Sequence, residues 1–307
     1  MDFDSRVSPS KRKRAGALPD AGVTPAPGSP LNPPAGPDDA GTMASRPRSD
    51  VAGGPRSSSR RAPRRTVPTI SVVIPTLNEA KNLGYVLGRL PDHVQVVLVD
   101  GRSVDGSAEL ASRLRADIKV ISQQGHGKGD ALATGFAACD GDIIVTIDAD
   151  GSNDPREIDS FVRVLLDGAD FAKGSRFLPG GRSHDITSFR RLGNHALRLL
   201  VNVLFGTSYT DLCYGYNAFW TDCLEHMRVD CNGFEVETLM HIRIAKSGLD
   251  IRELPSVEGK RLSGRSNLNA FRDGSRVLKT ILFERFARDE RRLHRRPVAT
   301  PIAEPNS

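Results

Sequence analysis

Four short β-branched runs alternate with segments of helical spacing, and this alternation narrows the fold more than any other feature of the chain. Residues 70–75 (ISVVIP), 94–99 (VQVVLV), 118–122 (IKVIS) and 143–147 (IIVTI) are too short for helices and read as buried strands. Leu83, Val86, Leu87 and Leu90 stand at helical spacing after the first run, and Leu110, Ala111 and Leu114 after the second. The glycine-rich loop 125–129 (GHGKG) opens a further helix, expected over 130–138. Such a series builds right-handed crossovers in a mainly parallel sheet flanked by helices, an α/β fold. Ligands then bind beyond the carboxyl ends of the strands. Asn78 with Glu79, Asp100, and Asp148 with Asp150 all fall at that edge.

The fourth run ends in the pattern DADGSND, residues 148–154. Two carboxylates one residue apart at the end of a buried strand are costly without compensation. A divalent cation bound through oxygen, itself holding a diphosphate, supplies it. Asp, Gly, Ser and Asn are also the ordinary residues of a solvated strand-to-turn corner, so the pattern alone leaves both readings open.

Downstream, residues 155–166 read as a helix with proline in its first turn. Residues 169–173 read as a short strand leading to Gly174, Ser175 and Arg176. Residues 178–188 are glycine-rich and poor in apolar side chains, which predicts a mobile loop. Helices are expected over 191–205, 234–245 and 271–296, with a loop passing into a strand over 211–220 and a strand over 251–255. Glu235 and Glu237 lie two apart on the second of these helices, so at most one faces a site.

Composition assigns the charge. The chain has a formal net charge of +6, but residues 1–65 hold 12 Lys/Arg against 6 acids, which leaves residues 66–307 neutral. The first 66 residues are rich in Pro, Gly, Ser, Ala and Arg and cannot bury enough apolar surface to order themselves, so they read as a disordered tail. KRKR at 11–14 and RRAPRR at 60–65 suit anionic lipid or nucleic acid, or serve only to solubilise. A basic tail on a neutral body does not make a nucleic-acid-binding protein. Cys139, Cys213, Cys223 and Cys231 lack metal or disulfide spacing and fit the reduced thiols of a cytoplasmic chain. No apolar run reaches a membrane-spanning length.

Eight segments then occur in a telling order: VVIPTLNE, VLVDGRSVDGS, GKGDAL, DADGSNDP, GSRFLPGG, DLCYGYNAF, GFEVET and RLSGRSNL. Together they resemble the family 2 glycosyltransferases of the GT-A fold, nearest to the polyprenyl/dolichol-phosphate hexosyltransferase branch to which dolichol-phosphate mannosyltransferase belongs. The resemblance spans residues 70–286 and implies a GT-A domain over 67–286, with a basic end beyond it at 287–307.

Carried over position by position, the resemblance implies that Pro75, Leu77, Asn78 and Glu79 line the base and ribose pocket. Asp100 would accept hydrogen bonds from base or ribose, and Lys128 would approach the phosphates or a pocket wall. Asp148 and Asp150 would hold Mg²⁺ or Mn²⁺, with Ser152 adding a polar contact. Arg176 and Arg261 would meet the phosphates of donor or acceptor, and Ser266 and Asn267 would help close the site. The sequence departs from the branch where it has Gly151 in DADGS and Asn267 in place of a frequent lysine.

The implied reaction is an inverting, metal-dependent transfer of a hexose from a UDP-glucose-type or GDP-mannose-type donor. Polyprenyl phosphate is the favoured acceptor; a glycan or small-molecule hydroxyl is the alternative, and it would need a base, Asp211 or Glu235. Peripheral contact with the inner face of an anionic membrane fits the lipid acceptor. Two other classes share some features. A nucleotidyltransferase would carry a glycine-rich signature beside the first strand, which PTLNE lacks. A catalytically silent binding protein would have no use for paired aspartates.

Overall fold

The computed structural model describes Arg64 and residues 67–287. Readings placed on residues 1–63, 65–66 and 288–307, including the tail, its KRKR cluster and the last turns of the helix expected over 271–296, lie outside the described residues. The elements run β1 (Ile70–Thr76), α1 (Ala80–Leu87), β2 (Gln95–Asp100), α2 (Ser107–Leu114), β3 (Lys119–Ser122), α3 (Gly127–Phe136) and β4 (Ile143–Thr146). There follow α4 (Ile158–Leu166), β5 (Phe171–Ser175), β6 (Arg182–Ser183), α5 (Ser188–Phe205), β7 (Asn217–Trp220) and α6 (Leu224–Met227). The series closes with α7 (Val236–Lys246), β8 (Ile251–Pro255), β9 (Val257–Glu258) and α8 (Ala270–Phe286).

Seven strands form one sheet in the order β3-β2-β1-β4-β7-β5-β8. β1 through β4 pair in parallel, as their separation by helices requires. β7 is the exception, running antiparallel between β4 and β5. An antiparallel strand begins where its parallel neighbour ends, so the residues just before β7 stand beside those just after β4. That places the loop 211–216 against the DADGS turn.

The main core lies on both faces of this sheet. Val72, Val97, Ile144 and Phe219 are fully buried along the strands. Phe219 meets Phe136 edge-on at 5.4 Å and stacks on Phe171 at 5.3 Å. Truncating such a ring to alanine costs about 3–5 kcal/mol. A second, smaller core joins α5, α7 and α8 through Val201, Ile242, Val277 and Ile281.

Several boundaries differ from expectation. α3 starts at Gly127 rather than 130, because the glycine-rich loop is itself the first helical turn. α7 starts at Val236, which decides which glutamate of GFEVET faces the site. On α2 only Ala111 of the expected stripe is buried, since Leu114 ends the helix and is exposed. The loop expected to be mobile over 178–188 contains β6, paired in parallel with β9 and tied by a bond from Ser183 Oγ to Glu258. Arg64, assigned to the tail, is docked on the body: it pairs with Asp170 at 2.8 Å and lies 4.5 Å over the Trp220 ring.

Candidate active site

A cleft of about 480 Å³ opens at the carboxyl edge of the sheet. Pro75, Leu77 and Glu79 after β1, Lys128 at the start of α3, and Asp148, Asp150 and Ser152 after β4 line it. Arg176 after β5 and Arg261, Ser266 and Asn267 before α8 complete the wall. These residues come from five separate parts of the chain, and the expected strand edge is what gathers them.

The two aspartates do not stand alone. Lys128 Nζ lies 2.6 Å from Asp148 Oδ1 and 2.8 Å from Glu237 Oε1. Arg261 lies 2.8 Å from Asp150 Oδ2 and 2.6 Å from Glu79 Oε1. Each aspartate thus shares one cation with a glutamate from another element. Burial works against the Lys128 ammonium, yet Asp148 and Glu237 together hold its pKa above the ordinary lysine value. Arg261 behaves likewise, with burial outweighed by Asp150 and Glu79. Burial raises the Glu79 carboxyl above its usual range, although Arg261 pulls it down.

Backbone contacts fix the turn that carries the aspartates. Leu262 N donates to Asp150 O at 3.1 Å and Gly259 N to Ser152 O at 2.7 Å, so the RLSG segment is laced onto the DADGS turn. Gly151 has φ +79, and a Cβ there would lie 2.5 Å from Leu262 Cδ1. The departure from the branch pattern at this position is therefore matched by a leucine that fills the space. Gly215 is needed for a different reason, because a Cβ would stand 2.7 Å from Lys128 Nζ. Thr146 Oγ1 donates to Gly215 O at 2.7 Å and holds that loop against β4.

Other expected site residues are placed differently. Asp211, expected as a base, is fully buried beneath the cleft and grips Arg176 in two bonds, 2.7 Å from Nε and 2.9 Å from Nη2. Arg176 also reaches Glu258 at 3.2 Å and Cys213 O at 2.9 Å. Burial raises the Asp211 carboxyl, but Arg176 more than reverses this and leaves it below the usual carboxylate range. A carboxylate so enclosed cannot approach an acceptor hydroxyl. Glu235 likewise sits outside the cleft lining, immediately before α7, where its Oε1 accepts from Gly233 N at 3.1 Å and its buried Oε2 has no hydrogen-bond partner. Asn78, at φ 57, is spent on the loop after β2, its side chain accepting from Val104 N and its own N–H donating to Ser103 Oγ. Asp100 accepts from Arg102 N and Ser103 N through Oδ2, while its buried Oδ1 has no hydrogen-bond partner.

Sequence reasoning left out Glu237, Glu258, Asp185 and Arg190, all of which line the cleft. Glu237 had a signal, since it stands in the GFEVET segment beside the residue chosen in its place. The others had none, because their positions depend on the β6–β9 pairing and on the packing of α5.

Asp148, Asp150, Glu79 and Glu237 facing Lys128 and Arg261 leave this group with a formal charge of −2, complementary to a divalent ion. Among the described residues no cluster of three or more His, Cys, Asp or Glu side chains forms a closed metal site. Asp148 and Asp150 offer hard oxygen ligands too few to enclose a metal, so one fits here where diphosphate and water oxygens complete the shell.

A mainly parallel sheet with this cleft at its carboxyl edge is the GT-A arrangement. The sequence matches Glycosyl transferase family 2 over residues 71–227, and the chain belongs to that family. It is 33% identical to the low-salt glycan biosynthesis hexosyltransferase Agl6 of Haloferax volcanii, over 70% of this chain and 53% of that protein, about half its length. It is 31% identical to an undecaprenyl-phosphate mannosyltransferase of Micrococcus luteus, over 55% of this chain and 75% of that one. Among solved structures it resembles glucosyl-3-phosphoglycerate synthase of Mycobacterium tuberculosis in complex with Mn²⁺, UDP and glucosyl-3-phosphoglycerate. That similarity has a TM-score of 0.56 at 26% identity, covering 71% of this chain and 80% of the other.

Proposed function

We propose that the chain transfers a hexose, with inversion, from a nucleotide-diphospho-sugar to a polyprenyl phosphate. The observation that supports the acceptor assignment is the placement of both carboxylates expected as bases: Asp211 is locked to Arg176, and Glu235 lies outside the cleft lining. A phosphate acceptor is already ionised and needs no base, whereas a hydroxyl does. The Micrococcus luteus relative, named for an undecaprenyl-phosphate acceptor, supports the same class.

Asp148 and Asp150 would hold Mg²⁺ or Mn²⁺, which when bound neutralises charge on the diphosphate. Lys128 and Arg261, already gathered at those carboxylates, would then meet the phosphate oxygens as negative charge grows on the leaving group. Glu79 and Glu237 would keep the two cations in register. Asp100, with its unpartnered Oδ1, would accept from the base or ribose. Arg190 at the cleft wall would face the acceptor's phosphate.

A hydroxyl acceptor is favoured by one feature, Asp185, which is exposed at the cleft and 3.6 Å from Arg190. Product analysis with UDP-glucose, GDP-mannose and polyprenyl phosphate tests the proposal. A glycosylated lipid phosphate is expected; transfer only to hydroxyl acceptors, abolished by Asp185→Asn, would overturn it.

A further inference from the structure

A chain of buried hydrogen bonds runs in one direction from the DADGS turn to a single carboxylate. Asp148 N donates to Asn153 Oδ1 at 2.8 Å, and Asn153 Nδ2 donates to the Tyr214 hydroxyl at 3.1 Å. Tyr214 Oη lies 3.0 Å from Ser256 Oγ, and Ser256 Oγ donates to Glu157 Oε2. Glu157 ends the short 3₁₀ turn Pro155–Glu157, and its other oxygen accepts from Val257 N at 3.1 Å. A serine has one hydroxyl proton, and here the carboxylate takes it, so Ser256 accepts from Tyr214. The order of donors is thereby set from the Asp148 amide to Glu157. Burial raises the Glu157 carboxyl, and the bonds from Ser256 and Val257 oppose that rise. Asn153, Tyr214 and Ser256 are all buried.

Tyr214 is the joint of this chain. Its hydroxyl reaches the aspartate turn through Asn153 and the segment between β8 and β9 through Ser256. Ser256 is itself fixed, donating from N to Ser175 O at 3.0 Å and accepting from Arg182 N at 3.2 Å. The Tyr214 ring forms part of the cleft wall, with the Arg176 guanidinium 4.8 Å from its centroid. Gly174 leaves the room that the ring takes, since a Cβ there would lie 2.8 Å from Tyr214 Cε1. Tyr216, two residues on, supplies the contrast. Its hydroxyl donates to Asp154 O at 2.9 Å and its ring stacks on Phe161 at 4.3 Å, but that bond leads no further toward Asp148.

We infer that Tyr214 is a positioning residue for the aspartate end of the cleft: through Asn153 its hydroxyl pins the Asp148 amide and so aims the Asp148 carboxylate. Pinning the amide sets the direction in which the side chain leaves the backbone. Bonds that follow one another in a dry setting polarise each other, so each link stiffens the next. Without the hydroxyl, Asn153 Nδ2 loses its partner while buried, and its amide has no reason to keep Oδ1 on Asp148 N. The same hydroxyl ties the turn to the wall that carries Arg176, so the two ends of the cleft keep a fixed separation. The inference rests on the reading that Asp148 holds Mg²⁺ or Mn²⁺, and it adds the group that orients that ligand. Loss of such an outer partner weakens metal binding by about 10–100-fold.

The test sets Tyr214→Phe beside Tyr216→Phe in the full chain, each removing one buried hydroxyl and keeping its ring. Both should lower the melting temperature, because each leaves a buried partner unpaired. Only Tyr214→Phe should weaken Mn²⁺, titrated calorimetrically with UDP or GDP present, by about 10–100-fold. Only Tyr214→Phe should also speed hydrogen exchange at the Asp148 amide, on the order of tenfold. Adding Tyr214→Phe to Asn153→Ala should weaken Mn²⁺ no further than Asn153→Ala does alone, since both lie on one chain. Equal Mn²⁺ affinity and equal Asp148 exchange in the two tyrosine variants would overturn the inference, as would additive losses in the double variant. Should the wild type bind Mn²⁺ with neither nucleotide, the metal reading falls by itself. Exchange at Asp148 then decides alone: selectively faster in Tyr214→Phe, the positioning role stands; unchanged, it falls too.

Discussion

Two arginine–aspartate systems lie within a few residues of the same cleft and have opposite characters. In one, Asp148 and Asp150 share Lys128 and Arg261 with Glu237 and Glu79, line the opening and keep a formal excess of negative charge. In the other, Asp211 is sealed beneath the wall and holds Arg176, which touches the cleft but is almost wholly buried, with Glu258 and the Cys213 carbonyl taking the remaining donors. Composition does not separate them, since each joins cations to acids. Solvent access does. The open system can exchange partners with a charged ligand, whereas the sealed one has no alternative partner and so contributes to rigidity.

The largest effect expected follows from the open system. Asp148→Asn or Asp150→Asn should lower turnover by about 10²–10³-fold or more, since each removes charge from the site where the diphosphate leaves. The melting temperature should barely move, because Lys128 and Arg261 keep their glutamate partners. Radiolabelled sugar transfer and calorimetry on the same preparation check both halves.

Replacement in the sealed system should invert that signature. Asp211→Asn takes from the buried Arg176 guanidinium its closest counter-charge and leaves it Glu258, at a cost of up to about 3–5 kcal/mol in denaturant unfolding. Should Asp211→Asn instead unfold like the wild type while losing transfer, the contrast between the two systems would be wrong and Asp211 would be a base after all.

A finer distinction concerns the glutamates. Glu237→Gln lets Lys128 settle wholly on Asp148 and reduces the negative excess, so Mn²⁺ measured by titration calorimetry with UDP present should bind about 10–100-fold more weakly. Glu235→Gln, on the same helix but outside the cleft lining, should leave that affinity unchanged.

The smallest effect is in pH dependence, where the two systems should tilt in opposite directions. Asp211 has a depressed carboxyl, so its stabilisation is full above the unfolded aspartate value of about 3.9 and is lost as pH falls below it. Glu79 has a raised carboxyl, so its contribution is full below the unfolded glutamate value of about 4.3 and is lost as pH rises through the folded value. Relative to wild type, Glu79→Gln should therefore gain stability above that window and not below it. A flat difference across pH would show that Arg261 already cancels the burial of Glu79.

The first half of the sheet was readable because its signals are local: β-branched runs, helical spacing, and polar residues at the strand ends. The DADGS turn and PTLNE loop fell at the expected edge for the same reason. The direction of β7 was not readable, since NAFW is a short apolar run and nothing in four residues states which way it runs. The fate of Arg176 was hidden too. Its partner lies 35 positions later and is chosen by packing, so residue type announced a cation without saying that the cation was already taken. For Glu235 and Glu237 the choice rested on where α7 begins, a boundary that sequence fixes only to within a residue or two.

The place of β7 also governs how this chain must be made. β4 emerges with one side paired to β1 and the other open, and the strand that closes it, Asn217–Trp220, comes far later. Roughly 70 residues separate them, or about 4–14 s of synthesis at 5–20 residues per second. During that interval Ile143, Ile144 and Val145 form the rim of a nascent sheet, with unpaired backbone groups beside buried-type side chains. Such a rim is a template for intermolecular pairing. The nascent chain therefore passes through a window in which aggregation competes with completion, and slower translation across residues 147–216 would widen it.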